Sequence, residues 1–184
     1  MKPDTKGKII EAAARLVLTS GISSFTLDAV AKEARISKGG LLYHFPTKEH
    51  LLLAMVNALV RVTEARIAEV QKEDKLPGSW LRGFIDASLV QHDPAIGSVG
   101  RLSVAFLTAA ATDIALLKPM ADRQASWRRE LNTSGIDPAL AHITRLAADG
   151  LWINGALGLP VLDAEEREAV YARLRAMTFP KSES

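Results

Sequence analysis

The stretch from Thr26 to Leu52, TLDAVAKEARISKGGLLYHFPTKEHLL, constrains this chain more than any other. Thr26 suits the N-cap of a short helix whose Leu27, Val30, Ala31 and Ala34 recur on one inward face. Phe25 just before that cap and Val30 just beyond it form a hydrophobic staple. Arg35 and Ile36 make a turn, and Ser37 caps a second short helix running to about His44. Pro46 disfavours helical geometry at Phe45, so the second helix stops there. Thr47 then caps a long helix, with His50 at its third position, that continues to about Glu73. Two short helices across a tight turn are a helix-turn-helix, whose second member suits a DNA major groove.

Charge follows the same division. Residues 1–48 carry eight Lys or Arg against four Asp or Glu, whereas residues 49–184 carry fifteen against seventeen. Positive charge therefore gathers on the segment that would meet phosphate, an excess that taken alone fits an ordinary solvated surface equally well. Hydrophobic residues make up 48% of the chain and aromatics only 5%, a balance that favours packed helices over sheets. Cysteine is absent, which removes disulfides, thiolate nucleophiles and Cys-ligated zinc. There is no HExxH, GxSxG or P-loop pattern, and the four histidines are scattered. The chain is expected not to be an enzyme and to need no cofactor or metal. An all-helical enzyme and an architectural DNA-binding protein without effector are the rival readings. No apolar run approaches the roughly 20 residues that span a bilayer, and no signal-peptide pattern opens the chain, so a cytoplasmic protein is expected.

Base reading falls to the N-terminal end of the second short helix, occupied by Lys38, Gly39 and Gly40. Lys38 can donate to guanine O6 and N7 or swing to a phosphate. The two glycines either let the backbone approach the groove floor or are merely tolerated beside a cap. Leu41 and Phe45, four apart, face the core, and Leu42 either meets thymine methyls or stays partly exposed. Tyr43 and His44 can donate to phosphate oxygens, as can the hydroxyl of Thr26. Lys48 stands in the first turn of the long helix, where a cation opposes the helix dipole and a bound phosphate would offset the cost.

On SKGGLLYHFPTKEHLL the chain resembles the TetR family of bacterial transcriptional regulators. The resemblance implies DNA contacts from Thr26, Ser37, Lys38, Gly39, Gly40, Leu42, Tyr43, His44 and Lys48. The sequence departs from it at Leu42, where many relatives carry Tyr, so no hydroxyl contact is carried over there. The resemblance further implies an all-α fold of about nine helices. Residues 1–50 would be the helix-turn-helix domain, and residues 51–184 a helical effector-binding and dimerisation domain, with the boundary inside the fourth helix. A ligand-responsive repressor is expected, with double-stranded operator DNA, a small-molecule effector and a second copy of the chain as partners, and no membrane.

The first predicted helix runs from about Asp4 to Thr19. Beyond the fourth, helices are expected over Ser79 to His92, Ser98 to Ala111, Asp113 to Asn132, Asp137 to Leu157 and Asp163 to Met177. Pro119 kinks the seventh or splits its first turn. Asp137 caps the eighth with Pro138 at its first position, and Asp163 with Glu166 gives the ninth a capping box. Trp80, Phe84, Phe106, Trp127 and Trp152, with Arg101 and Arg123, are the candidate ligand-binding residues. Large aromatics drawn from several helices either line a cavity or fill a core. Ile143, Ala147, Gly150 and Asn154 form a small-residue stripe on the eighth helix, and Val170, Leu174 and Met177 a stripe on the ninth. Together they are the candidate dimer interface.

Overall fold

The computed structural model describes residues 4–90, 103 and 107–179. The helices are α1 (Thr5–Ser20), α2 (Leu27–Glu33), α3 (Lys38–His44), α4 (Lys48–Glu73), α5 (Ser79–Val90), α6 (107–112), α7 (Lys118–Asn132), α8 (Pro138–Ala156) and α9 (Ala164–Ala176). Two 3₁₀ turns, Ile22–Ser24 and Ile114–Leu117, precede α2 and α7. No strand occurs among the described residues, so the fold is all-α as expected. No helix among them is long and apolar enough to cross a membrane.

Helix ends follow local chemistry. The Asp4, Thr26, Ser37 and Asp137 side chains each accept a backbone N–H three residues on, satisfying donors that the first turn leaves orphaned. At α4 the hydroxyl of Thr47 accepts the His50 N–H. Asp163 and Glu166 complete the reciprocal capping box of α9. The seventh predicted helix is corrected. Asp113 caps the 3₁₀ turn Ile114–Leu117, and α7 starts only at Lys118, with Pro119 in its first turn. A proline's missing N–H costs nothing there. The expected end of the fifth helix at His92 and the start of the sixth at Ser98 lie outside the described residues.

The chain falls into two compact units, one of Met1–Val60 with Gly97–Ala121 and one of Arg61–Ile96 with Asp122–Ser184. In the first, α1 packs on α2 and α2 on α3. Its core includes Ile9, Ala13, Phe25, Val30, Leu41, Phe45, Leu52 and Met55. In the second, α5 packs on α8 and α9. A Cβ at Gly83 would lie 2.7 Å from the Ile67 Cα, so glycine there sets how closely α4 and α5 approach.

Candidate functional site

The turn between α2 and α3 decides how α3 is presented. Arg35 adopts φ 56°, the left-handed region that favours glycine. Its N–H donates to the Lys32 carbonyl at 3.1 Å, and the Ile36 N–H donates to the Ala31 carbonyl at 3.0 Å. These are the two bonds of a Schellman cap, which satisfy the last carbonyls of α2 and reverse the chain within two residues. Arg15 on α1 holds α2 from the side through Glu33 at 3.1 Å.

Helix α3 is anchored on one face by Leu41 and Phe45, both buried, so its other face is turned to solvent. Tyr43 is 85% exposed there, its ring edge-on to that of His44 at 5.1 Å between centroids. His44 and Leu42 are half-buried, and Ser37, Lys38 and Gly39 are exposed. A Cβ at Gly39 would meet nothing within 4 Å, whereas one at Gly40 would lie 3.2 Å from the Ser37 Oγ. Gly40 thus leaves room for the cap, and Gly39 keeps an open surface bare.

Two cations here have partners that sequence reasoning missed. Lys38 Nζ lies 2.9 Å from Asp28 Oδ1 and 3.0 Å from Oδ2. Lys48 Nζ stands 5.1 Å from the centroid of the Phe25 ring. That ring face offsets part of the dipole cost of a lysine opening α4, without any phosphate. Neither pairing has a sequence signature, because the partners lie ten and twenty-three positions apart on different elements.

In the second unit Trp80, Phe84 and Trp127 come together, all buried. Trp80 stacks on Phe84 at 5.5 Å, and Phe84 meets Trp127 edge-on at 5.6 Å. The arginine beside them is Arg145, which the sequence did not single out. Its guanidinium carbon lies 5.3 Å from both the Phe84 and the Trp127 ring centroids. Its Nη2 donates to Gln124 Oε1 at 2.7 Å, and its Nε lies 3.3 Å from Asp149 Oδ2. Burial pushes the Asp149 carboxyl above its ordinary value, and the Arg145 charge pulls it part of the way back. Arg123 is engaged elsewhere, donating to Glu64 at 3.1 Å, and Trp152 is half-buried on α8. Arg101 and Phe106 lie outside the described residues.

Helix α8 turns Ala141, Thr144 and Ala148 inward and leaves Ile143 60% and Leu146 67% exposed. Ala147, Gly150 and Asn154 are half-buried on the side of Ile143, and Leu157 just after the helix is exposed as well. At 100° per residue these positions share one face opposite the buried one. Val170 on α9 and Met177 at its C-cap are half-buried, but Leu174 is buried. It is only 7% exposed and already packed within its own unit.

A family model described as bacterial regulatory proteins, tetR family, matches residues 9–55. A second, described as tetracyclin repressor-like C-terminal domain, matches residues 78–179. YuxN of Bacillus subtilis, an uncharacterized HTH-type transcriptional regulator, is 39% identical over 74 residues, 40% of this chain and 25% of that protein. The chain spans between 25% and 44% of the length of this and the next curated relative. A transcriptional regulator from Rhodococcus sp. Rha1 is 25% identical with a TM-score of 0.74, covering 94% of this chain and 95% of its own. The multidrug binding protein EbrR, solved with malachite green, shares the fold at 24% identity and a TM-score of 0.64, over 97% of this chain and 99% of its own. With the capped α2–turn–α3 unit in the first matched segment and helices α5, α7, α8 and α9 in the second, the chain belongs to the TetR family of bacterial regulatory proteins.

Proposed function

We propose that this protein is a dimeric transcriptional repressor that binds operator DNA and is released by a small molecule. The observation that carries the reading is the solvent face of α3. Leu41 and Phe45 fix the helix from behind, which leaves Lys38, Gly39, Leu42, Tyr43 and His44 on the side that would enter a major groove. Thr26, Ser37, Gly40 and Lys48 flank that face, with Thr26 and Lys48 toward phosphates. Residues 1–50 supply this function, in the cytoplasm where the chromosome lies, and residues 51–184 supply effector binding and dimerisation.

The outward apolar face of α8 supports a two-fold dimer through α8 and α9. Ile143, Leu146 and Leu157 exposed together form a patch of the kind that water disfavours. Dimerisation matters because two recognition helices must enter successive major grooves about 34 Å apart. The effector is a mainly apolar molecule that engages the aromatic group of Trp80, Phe84 and Trp127, with an acidic substituent turned to an arginine. Arg101 and Arg123 were the expected arginines; Arg101 lies outside the described residues and Arg123 pairs with Glu64, whereas Arg145 lies against the Phe84 and Trp127 rings themselves. Trp152, Arg101 and Phe106 complete the proposed ligand set. Selecting bound sequences from a random DNA pool, then screening compounds for release, tests the whole reading. A pool that shows no enrichment after repeated rounds refutes it.

A further inference from the structure

We propose that Asp28 is a positioning residue for operator recognition, holding the Lys38 ammonium so that it is delivered to a base edge in preference to a phosphate. This rests on the DNA-binding reading of α3 and adds to it a residue outside that helix.

Asp28 is the second residue of α2 and Lys38 the first of α3, so the pair bridges the N-terminal ends of the two helices. The ammonium straddles both carboxylate oxygens, at 2.9 Å and 3.0 Å. Both side chains are more than half exposed, at 59% for Lys38 and 68% for Asp28, so the pair stands on the surface that DNA would approach. A lysine opening a helix is opposed by the dipole, and the Asp28 charge offsets that opposition.

The pairing changes what Lys38 can do. An ammonium has three N–H donors, and one shared between the two Asp28 oxygens leaves two for new acceptors, while the carboxylate charge stays beside them. A phosphate carries a full negative charge and is repelled by the adjacent carboxylate. Guanine O6 and N7 are neutral acceptors and are repelled far less. Asp28 therefore penalises the sequence-independent contact more than the sequence-reading one. Lysine's flexible stem makes such a tether useful, since an untethered ammonium finds any phosphate within reach.

The test compares the full-length wild type, Asp28→Asn, Asp28→Glu, Lys38→Ala and the Asp28→Asn/Lys38→Ala double variant. Each is titrated against the selected operator and a scrambled duplex of equal length over a range of salt, below every variant's melting temperature. Asp28→Asn should tighten binding to the scrambled duplex by about three- to tenfold and steepen its salt slope by about one per subunit, as a freed lysine takes up a phosphate. Operator affinity should rise less, so the ratio of specific to non-specific affinity falls. Asp28→Glu should restore the ratio, and the steeper slope should vanish in the double variant. An unchanged ratio in Asp28→Asn overturns the proposal, as does a slope that steepens equally without Lys38, which would make Asp28 an ordinary surface charge. Failure of the wild type to prefer any sequence overturns the DNA-binding reading beneath it, and this inference with it.

Discussion

Arg82 grips Asp74 through two parallel hydrogen bonds, Nε to Oδ2 at 2.5 Å and Nη2 to Oδ1 at 3.0 Å, while itself fully withdrawn from solvent. The same guanidinium donates to the Leu76, Pro77 and Thr178 carbonyls and lies 4.2 Å from the Phe179 ring. One side chain thus ties the loop between α4 and α5 to the chain just after α9. Gly78, at φ 81°, completes the joint, since a Cβ there would come within 2.1 Å of the Thr178 carbonyl oxygen. A buried cation survives only when its donors are satisfied, and here the partners are arrayed around the fork.

Arg82→Met should destabilise the protein by about 3–5 kcal/mol, because three carbonyls and a carboxylate lose their donors at once. Urea unfolding of the purified protein measures this. A loss below 1 kcal/mol would show that the joint contributes little.

Acid should loosen the same joint. The Arg82 hydrogen bonds hold the Asp74 carboxyl below its ordinary value. A depressed folded-state pKa gives stability that is fully present above the unfolded value, near 4, and is lost as pH falls through the folded one. Asp74→Asn should therefore be less stable than wild type at neutral pH and should lose less on acidification below about pH 4. Parallel unfolding midpoints for the two proteins across that range would count against the linkage.

Arg35 holds a left-handed conformation that costs an L-residue about 1–2 kcal/mol. Glycine relieves it but loses more backbone entropy on folding, about 0.5–1 kcal/mol. Arg35→Gly should stabilise the protein by a net amount on the order of 0.5–1 kcal/mol and so raise the thermal midpoint, and Arg35→Val should lower it. Calorimetry on the three proteins decides.

Gly150 tests the dimer without disturbing the subunit, since a Cβ there meets nothing within 4 Å. Leucine at this position should leave the helical circular dichroism unchanged while overpacking the proposed α8 contact by about 1–3 kcal/mol. Sedimentation should then show monomer, with operator affinity falling alongside. A folded Gly150→Leu protein that remains dimeric would place the interface on another surface.

Lys48→Ala should weaken binding to every sequence alike and flatten the salt slope by about one per subunit, the signature of a lost phosphate contact. Its stability should change by less than about 0.5 kcal/mol, because the lost Phe25 ring contact and the relieved dipole cost oppose each other. Lys48→Arg should retain both. Binding titrations over salt and a thermal melt separate the two effects.

The sequence by itself determined what depends on neighbours three or four residues away. The caps at Thr26, Ser37, Asp137 and Asp163, the end of α3 before Pro46, and the inward Leu41 and Phe45 are set by bonds and sterics within one helical turn. The α2–turn–α3 unit was legible for that reason. Tertiary structure alone decided what covers each apolar face and which charges meet. Arg82 reaches Thr178 across 96 positions, Arg145 lies between rings from α5 and α7, and Asp28 captures Lys38 across a turn. Leu174 and Ile143 have equally good helical spacing, yet one is buried in its own unit and the other stands in water. Periodicity reports that a face is apolar. Whether the same chain or a second copy covers it depends on contacts that only the folded chain brings together.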